Sequence, residues 1–542
     1  MGVDWRSSGD TRVLLLEGQA KAVATPIGST GISKQELIRL YQKEGDACVD
    51  HLVGSFAFAL FDADRNRVFA ARDLVGSIPL YYKRDKETFH CFSCLNEQFE
   101  GSLDESELEE SEIARFLSIG YGSSQRTAIK GLNKLPGGHI LKADTRGIVI
   151  SPYWRQQDVP KLTYTSDEAY AEALRELLHK VIRDYTSDSD SWAAHMSGGI
   201  DSTTVACIAA KGQAVDNRIG FSWLPEISES SRSDHEYQLV EESAKWCEAK
   251  AYYCPARSQD IVEVLRLDYP AQAFDGTLLN EWAVMGLAKE RGISRILSGY
   301  GGDEAISHSG STVRIALFKA RQWASLFDLI KKGKQNSALS FLKLVARQAL
   351  EALPERERVF RSSPKWVSPY VSPDIAFDKS QFGKAPPVGA SLSDYQAQLI
   401  HWGPLQNRIE AWHDIGRRFG LSYTYPLLDR RIIDFALGLP WDQLNDGRQR
   451  RKVFRNATKG AIPEIVRTNY DKNDPQRVKE TLSSVREGLA EIGHALRTRR
   501  TQPRRSGYFD MKRLLVDLEP KALAQRTGFR HIICALAFLD IE

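Results

Sequence analysis

The chain has 542 residues, of which 42% are hydrophobic and 26% charged, and its formal net charge is +3. This length exceeds a single hydrophobic core, so we expect two or three domains. A charge so close to balance does not indicate nucleic-acid or membrane-surface binding. No apolar run reaches the ~18 residues of a membrane span, the start lacks a signal-peptide pattern, and seven scattered cysteines do not form a disulfide framework. We therefore expect a reduced, cytoplasmic protein with no nucleic-acid or membrane partner.

The first third of the chain has the alternating pattern of β-strands. Residues 51–82 alternate apolar and small residues on both sides of a turn at 64–66, which predicts a hairpin with a buried face. Further strands are predicted in ETFHCFSC and GGHILKADTRGIVISPYW, and the acidic stretch 104–112 is predicted as a loop before a helix in IARFLSIG. Cys91 and Cys94 form a CxxC pair without a second pair at metal spacing, so we interpret them as part of a strand rather than a zinc site.

Near Trp154 the pattern changes to helices that alternate with short β-like runs. Residues 166–187 predict a helix with Ser166 as its cap. The segments SWAAHM, RIGFSW, AKAYYC and SRILSGYGGDE predict strands of an α/β sheet, and the chain from about 315 onward predicts helices. We place the domain boundary at 155–165 and divide the chain into residues 1–158 and 159–542. The basic runs at 448–455 and 497–505 are interpreted as solvated faces.

The strand SWAAHM leads into a turn rich in glycine and hydroxyl residues, namely Ser197, Gly198, Gly199, Asp201 and Ser202. One interpretation is an ordinary strand-to-helix turn, in which glycine relaxes the backbone and a polar side chain caps the helix. The other is an anion site, because glycine lets backbone N–H groups approach a phosphate and the helix N-terminus adds its positive dipole end. The turn is not a Walker motif, and by itself it does not decide between the two.

A second glycine turn, LSGYGGDE, follows the strand at 294–297 and contains Gly299, Gly301 and Asp303. Ligands of open α/β sheets lie at the carboxyl ends of strands, so both turns are expected to face one crevice. There Asp201 and Asp303 are suited to hold Mg²⁺ together with phosphate oxygens. Lys472, in the loop IPEIVRTNYDKNDP, is either an exposed loop lysine or a cation aimed at charge developing in a transition state.

Together these motifs resemble those of the asparagine synthetase superfamily. SGGIDS resembles its pyrophosphate loop, LSGYGGDE its second loop for ATP and Mg²⁺, and YPLLDRRIIDFALGLP followed by RRKVFRNATKGAIPEIV its helical segment and catalytic-lysine region. GSFAFALFD and AARDLVGSIPLYY resemble strands of its N-terminal glutaminase-like domain. The resemblance implies an α+β Ntn-glutaminase-like sandwich, then an α/β synthetase domain of the adenine-nucleotide-α-hydrolase type with a helical C-terminal part. The implied ATP-binding residues are Ser197, Gly198, Gly199, Asp201, Ser202, Ser222, Gly299 and Gly301, and the implied metal ligands are Asp201 and Asp303.

Two departures from the family pattern bear on the activity. Glutaminases of this type need a cysteine directly after the initiator methionine, whereas this chain has Gly2 there and its nearest cysteine is Cys48, so we expect no glutamine hydrolysis. Asparagine synthetases carry glutamate in the second loop where this chain has Tyr300. With a tyrosine at that position, the second loop of this chain resembles that of β-lactam synthetase. The run GYGGDEAISHSG, with the long basic helical segment behind it, most resembles lasso peptide cyclases.

This resemblance implies an AMP-forming ligase that uses ATP and Mg²⁺. An Asp or Glu side chain of a peptide attacks the α-phosphorus of ATP and pyrophosphate leaves. The peptide's N-terminal amine then attacks the acyl carbon, which closes a macrolactam and releases AMP. The implied catalytic residues are Lys472, Tyr300 and Glu304, and the amine base stays open among Tyr300, Glu304 and His308, the last of which is also interpreted as an ordinary polar loop residue. The implied partners are a leader-free core peptide, a leader-binding protein and a leader peptidase.

Three alternatives remain open: another amide-forming synthetase such as a β-lactam-forming enzyme, asparagine synthesis from free ammonia, and a peptide-binding scaffold without turnover. A small-molecule synthetase is expected to have a smaller pocket than an enzyme for a threaded peptide. The helical stretch 315–353 carries Phe318, Trp323, Leu326, Phe327 and Ile330 at helical spacing. These residues are interpreted either as the core-facing side of amphipathic helices or as part of a surface for peptide and partners.

Overall fold

The computed structural model describes residues 12–18, 21–22, 32–85, 88–95, 107–119, 121–187, 191–225, 235–267, 278–310, 313–333, 368–370, 372, 392–401, 403–470, 475–526, 528–539 and 541. These residues form an antiparallel β unit followed by a parallel α/β unit with many further helices. The predicted fold class is therefore confirmed. No helix in these ranges is both long and apolar enough to cross a membrane.

The N-terminal unit contains a five-stranded antiparallel sheet of order β1-β4-β5-β9-β10, a three-stranded sheet of order β7-β6-β8 and the pair β2-β3. Its strands are β1 Arg12–Gly18, β2 Lys21–Ala22, β3 Leu52–Val53, β4 Phe56–Asp62, β5 Arg67–Arg72, β6 Tyr81–Arg84, β7 Phe89–Phe92, β8 Asn133–Lys134, β9 His139–Asp144 and β10 Gly147–Pro152. Its helices are α1 Lys34–Glu44 and α2 Glu110–Ile119. Helix α2 begins inside the acidic stretch predicted as a loop, because carboxylates in a first turn favour the helix N-terminus.

The predicted hairpin is the pair β4 and β5, joined by a turn at residues 63–66. Both of its faces are buried rather than one. Phe58 and Phe69 pack on one face with their ring centroids 5.9 Å apart, whereas Ala57 and Ala70 belong to a second cluster on the other face. The face of the hairpin that carries alanines is therefore buried, as is the face that carries phenylalanines. Cys91 lies in β7, as predicted, whereas Cys94 lies two residues beyond the end of that strand, so its placement in a strand is wrong.

The second unit is built on a parallel sheet of order β13-β12-β11-β14-β15. Its strands are β11 Trp192–His195, β12 Ile219–Ser222, β13 Lys250–Tyr253, β14 Arg295–Leu297 and β15 Ser422–Thr424. The first four were predicted. The prediction that the chain is helical throughout beyond 315 is wrong at β15, which is only three residues long and is defined by its pairing with β14.

Helices cover both faces of this sheet and continue beyond it. They are α3 Asp167–Thr186, α4 Ile200–Ala210, α5 His235–Cys247, α6 Ser258–Leu265, α7 Leu278–Glu290, α8 Val313–Lys319, α9 Trp323–Lys332, α10 Leu392–Ile400, α11 Gly403–Arg418, α12 Arg430–Gly438, α13 Trp441–Leu444, α14 Lys452–Ala457, α15 Glu464–Thr468, α16 Pro475–Thr498, α17 Met511–Asp517, α18 Pro520–Ala524 and α19 Arg530–Leu536. Helix α3 begins after Ser166, whose hydroxyl accepts a hydrogen bond from the Ala169 N–H at 3.1 Å, so the predicted cap is confirmed.

The helical stretch predicted over 315–353 contains two helices in its described part. Helices α8 and α9 are separated at Arg321, whose φ of +56° ends a helix. Leu326 and Ile330 face the core, whereas the Trp323 and Phe327 side chains are 42% and 54% exposed. The remainder of the predicted helix, from residue 334, lies outside the described residues.

The two units share their largest hydrophobic core. Tyr81 and Phe92 of the N-terminal unit belong to the same cluster as Trp412 and Tyr425 of the second unit. The packing of the second sheet therefore depends on the first unit. The division of the chain at residues 158 and 159 stays a prediction.

Candidate functional site

The two glycine turns follow neighbouring strands and touch each other. Strands β11 and β14 are paired in parallel, so their carboxyl ends lie side by side at one edge of the sheet. A Cβ atom on Gly299 would lie 2.4 Å from the backbone nitrogen of Ser202, and one on Gly302 would lie 2.9 Å from Oδ1 of Asp201. Glycine at these two positions therefore lets the second turn pack directly on the start of α4.

The first turn presents an uncapped helix N-terminus. Gly198 has a φ of +69°, and a Cβ there would lie 2.7 Å from the Cβ of Leu239, so both conformation and space require glycine. The hydroxyls of Ser197 and Ser202 are 2.7 Å apart and hold the turn closed. No described side chain caps α4 at Gly199. Backbone N–H groups at such a terminus bind phosphate well.

Asp201 and Asp303 converge on one cation, the guanidinium of Arg451. Nη1 of Arg451 lies 3.1 Å from Oδ2 of Asp201, and Nη2 is paired with Oδ1 of Asp303. Arg451 has a φ of +57° and immediately precedes α14. The guanidinium thus marks a position where two carboxylates share one positive charge. Two carboxylates at one position also fit Mg²⁺, which binds one or two carboxylates together with phosphate oxygens. Among the described residues no group of three or more His, Cys, Asp or Glu side chains forms a metal site.

A cavity of about 430 Å³ opens at this edge of the sheet. It is lined by His195, Ser197, Gly199, Asp201, Ser202, Trp223, Asn280, Ser298, Gly299, Tyr300, Gly301, Asp303, Glu304, Arg408 and Trp412. Most of the residues singled out from the sequence are therefore brought together here. Two of the implied ATP-binding residues are not. A Cβ on Gly198 would meet Leu239, and Ser222 is fully buried at the end of β12 with its side chain 3.5 Å from the Leu224 N–H. Lys472 lies outside the described residues, so its place relative to the cavity stays a prediction.

The three candidate bases have different surroundings. The Tyr300 ring lies in the cavity wall with the Arg408 guanidinium carbon 4.5 Å from its centroid. Burial and the neighbouring Asp303 raise the pKa of Glu304, which favours its protonated form relative to an exposed glutamate. His308 is buried away from the cavity lining, its Nδ1 accepts from the Gly310 N–H at 3.1 Å, and burial lowers its pKa to about 4. His308 is therefore a buried loop histidine with a local structural contact, and nothing in its position favours the role of amine base.

The interpretation of the two basic runs as solvated faces is wrong at several positions. Arg451 lies between the two aspartates, and Arg455 and Arg505 are only 3% and 1% exposed. Arg455 is held by backbone carbonyls, including that of Asn469 at 2.8 Å. Arg505 donates to the carbonyl of Phe538 at 3.2 Å. A run of charges gives no signal of which members turn inward, since only tertiary contacts decide this.

The far wall of the cavity was not predicted from the sequence. A buried carboxylate, Glu281, accepts a hydrogen bond from Trp223 Nε1 at 2.9 Å and from the Tyr423 hydroxyl at 2.7 Å. It also lies 3.0 Å from Nε2 of His195. Because a carboxylate oxygen accepts, the Nε2–H of His195 donates to Glu281, which leaves Nδ1 to accept from the Ser298 hydroxyl. Glu281 therefore fixes the orientation of two cavity-lining rings.

The sequence offered one signal for the residues of this wall, namely their position at the carboxyl end of a predicted strand. His195 is the last residue of β11 and Trp223 directly follows β12, so both lie at the carboxyl edge where ligands bind. Arg408 and Trp412 are four residues apart on α11, a helix that the sequence pattern could not place against the sheet. Their role at the cavity depends entirely on long-range packing.

Comparisons with known proteins agree with this architecture. The Asparagine synthase family model matches residues 173–537, and the Glutamine amidotransferase domain model matches residues 30–154. "Asparagine synthetase [glutamine-hydrolyzing] 3" of Bacillus subtilis (strain 168) is 23% identical over 499 residues, covering 86% of this chain and 75% of the relative. "Amidase chyE" of Penicillium rubens is 24% identical over 315 residues, covering 52% of this chain and 44% of the relative.

A solved structure of the allosteric regulatory enzyme of purine biosynthesis aligns with 59% of this chain and 60% of its own at 11% identity, with a TM-score of 0.18, which is too low to bear on the fold. The family assignment therefore rests on the matching family models. Since the first family model spans more than half of the chain, the protein belongs to the asparagine synthase family.

Proposed function

We propose that the protein is an ATP- and Mg²⁺-dependent amide ligase that closes a macrolactam in a peptide, as a lasso peptide cyclase does. The observation that carries the ligase assignment is the contact between the two glycine turns, which brings an uncapped helix N-terminus and two carboxylates to one cavity. The finer assignment to a peptide substrate is supported by the second glycine turn, whose run GYGGDEA contains Tyr300.

The proposed chemistry has two steps. A substrate carboxylate oxygen attacks the α-phosphorus of ATP, the bond to the bridging oxygen breaks, and pyrophosphate leaves. The substrate's amine nitrogen then attacks the acyl carbon, the bond to the AMP oxygen breaks, and the amine proton passes to a base or to water. Backbone N–H groups at the start of α4 would hold the departing phosphates. Asp201 and Asp303 would hold Mg²⁺, and this ion would neutralise the negative charge of the phosphates.

Holding the amine against the acyl carbon supplies much of the rate in this proposal, because orientation effects are worth up to ~7–11 kcal/mol. Tyr300 and Glu304 line the same cavity and are the proposed residues near the reacting atoms. A core peptide, a leader-binding protein and a leader peptidase are the proposed partners. The Trp323 and Phe327 rings are exposed, which supports the proposal that one of these partners binds at this surface.

A second candidate is an amide-forming synthetase for a small carboxylic acid. The cavity of about 430 Å³ favours it, since this volume is at the lower end of the range for small-molecule sites. To separate the two, the protein is incubated with ATP, Mg²⁺ and synthetic peptides that carry an acidic residue several positions after a small N-terminal residue. Pyrophosphate exchange and product mass are measured, with aspartate plus ammonium as the small-molecule arm.

A peptide product that weighs one water less than the linear form, and that requires the acidic side chain, supports the cyclase. A dehydrated product that also forms when this side chain is changed to its amide contradicts carboxylate activation. Exchange that depends only on a small acid favours the second candidate. Absence of exchange with every substrate contradicts the ligase assignment.

Lys472→Ala is expected to leave ATP binding intact and to lower turnover by more than ~100-fold, the usual loss when a contact to a transition-state oxyanion is removed. Lys472→Arg should restore little, since a planar fork does not replace a point charge. Lys459→Ala, at an exposed lysine thirteen residues earlier in the sequence, is the matched control and should turn over normally. Turnover of Lys472→Ala near the wild-type rate contradicts the proposed role.

The purified protein is expected to release no glutamate from glutamine and to be insensitive to an alkylating glutamine analogue. Burial raises the pKa of the Cys48 thiol to about 12, so this cysteine does not supply a thiolate near neutral pH. Burial also raises the pKa of Cys91 to about 12. Glutamate formation, followed by a coupled dehydrogenase assay, contradicts this expectation.

A further inference from the structure

The N-terminal unit makes a buried ionic contact with α11 of the second unit. The Glu410 side chain is 1% exposed and lies between two cations of the N-terminal unit, Arg72 and Lys134. Both Nη atoms of Arg72 are 3.2 Å from Oε1 of Glu410, and Nζ of Lys134 is 2.7 Å from Oε2. Burial raises the pKa of Glu410, but Lys134 and Arg72 outweigh it and the net pKa is lowered, so the carboxylate is ionised near neutral pH.

The Arg72 guanidinium is also held in place by backbone carbonyls of its own unit. Its Nε donates to the carbonyl of Ile78 at 2.7 Å and its Nη2 to the carbonyl of Gly76 at 2.6 Å. A Cβ on Gly76 would lie 2.6 Å from Nη2 of Arg72, so the loop closes tightly around the guanidinium. The cation is therefore a rigid anchor rather than a mobile surface charge.

A second contact lies one turn further along α11. The hydroxyl of Tyr81 donates to Oδ2 of Asp414 at 2.9 Å, and both residues are fully buried. Glu410 and Asp414 are four residues apart, so they lie on one face of the helix. Each contact opposes rotation of the helix about its axis, and the two together also oppose its tilt.

The same helix carries two residues of the cavity wall. Arg408 and Trp412 line the cavity, and both approach Tyr300, with the Arg408 guanidinium carbon 4.5 Å and the Trp412 ring centroid 6.0 Å from its ring centroid. A rotation of α11 moves these side chains relative to Tyr300. The contacts to Glu410 and Asp414 oppose that rotation.

We propose that the N-terminal unit acts as a positioning element for the synthetase cavity: Arg72, Lys134 and Tyr81 bind Glu410 and Asp414 and thereby hold Arg408 and Trp412 against Tyr300. This role rests on the proposed ligase function, and it would give the N-terminal unit a purpose that does not require glutamine hydrolysis. Tyr81, Glu410 and Asp414 are positioning residues, since none of them lines the cavity.

Tyr81→Phe is the main test because it removes one hydroxyl and keeps the ring. Tyr82→Phe is the matched control, since adjacent strand residues point to opposite faces and the Tyr82 ring stacks on Phe89. Hydrogen exchange of the intact protein is measured by mass spectrometry. We expect amides of α11 to exchange at least ~10-fold faster in Tyr81→Phe and in Glu410→Gln, with α3 and the control unchanged. Unchanged exchange in α11 for both variants overturns the proposal.

A double-mutant cycle separates positioning from general stability. If Tyr81 acts through Arg408, then Tyr81→Phe lowers turnover at least ~5-fold in the wild type but has no further effect in Arg408→Ala. Equal effects in both backgrounds overturn the proposal. The hydrogen-exchange measurement needs no substrate, so its outcome is independent of whether the proposed ligase activity is found.

Discussion

Asp201→Asn is expected to lower amide formation by about 1000-fold while leaving the melting temperature close to that of the wild type. The substitution keeps the shape of the side chain and removes its charge. Asp201 and Asp303 share one cation in the structure, so each supplies half of the negative charge at that position. Loss of a metal ligand at the departing phosphates is worth several kcal/mol, which corresponds to about three powers of ten in rate. AMP release in the presence of ATP and substrate is the measurement.

Asp303→Asn should show the same loss, because the two carboxylates act on the same charge. Asp216→Asn, at an exposed aspartate beyond α4, is the matched control and should retain full activity. If both aspartates hold Mg²⁺ as proposed, the two aspartate variants should also need more Mg²⁺ to reach their residual rate. AMP release at the wild-type rate and at the wild-type Mg²⁺ requirement contradicts the assignment of either aspartate.

The positions of the two glycine turns could be predicted from the sequence because their signals are local. Glycines after a β-like run, followed by acidic or hydroxyl residues and a helical pattern, define a strand, a turn and a helix without reference to the remainder of the chain. The parallel sheet then brings the carboxyl ends of β11 and β14 to the same edge. Ser166 is a similar case, because a helix cap depends on the next three residues alone.

Features that depend on long-range contacts could not be predicted in the same way. Strand β15 has three residues and lies among helices, so neither its length nor its surroundings indicate a strand. Arg451 belongs to a run of four basic residues in five positions, and only the approach of α14 to the turns selects it. Glu281 lies on a helix whose pattern gives no sign of a buried charge, because three donors on other elements satisfy it.

Gly299→Ala is expected to abolish product formation, with at least a ~1000-fold loss, although it adds only one methyl group. The new Cβ would lie 2.4 Å from the Ser202 nitrogen and 2.6 Å from the carbonyl carbon of Asp201, both backbone atoms. Since backbone atoms cannot move aside as the end of a flexible side chain can, the two turns must separate. Separation displaces Asp303 from Asp201 and the second turn from the helix N-terminus, so the proposed phosphate and metal contacts would be lost together.

The matched control is Gly286→Ala in the middle of α7, where a Cβ would meet nothing within 4 Å. Alanine there should leave activity unchanged and raise stability by about 0.5–1 kcal/mol, because glycine is a poor helix former. Thermal unfolding, binding of a fluorescent ATP analogue and product formation are measured for both variants. Gly299→Ala should unfold cooperatively but bind the nucleotide weakly. If it retains wild-type activity, then contact between the two turns is not what forms the nucleotide site, and the proposed ligase mechanism loses its main structural support.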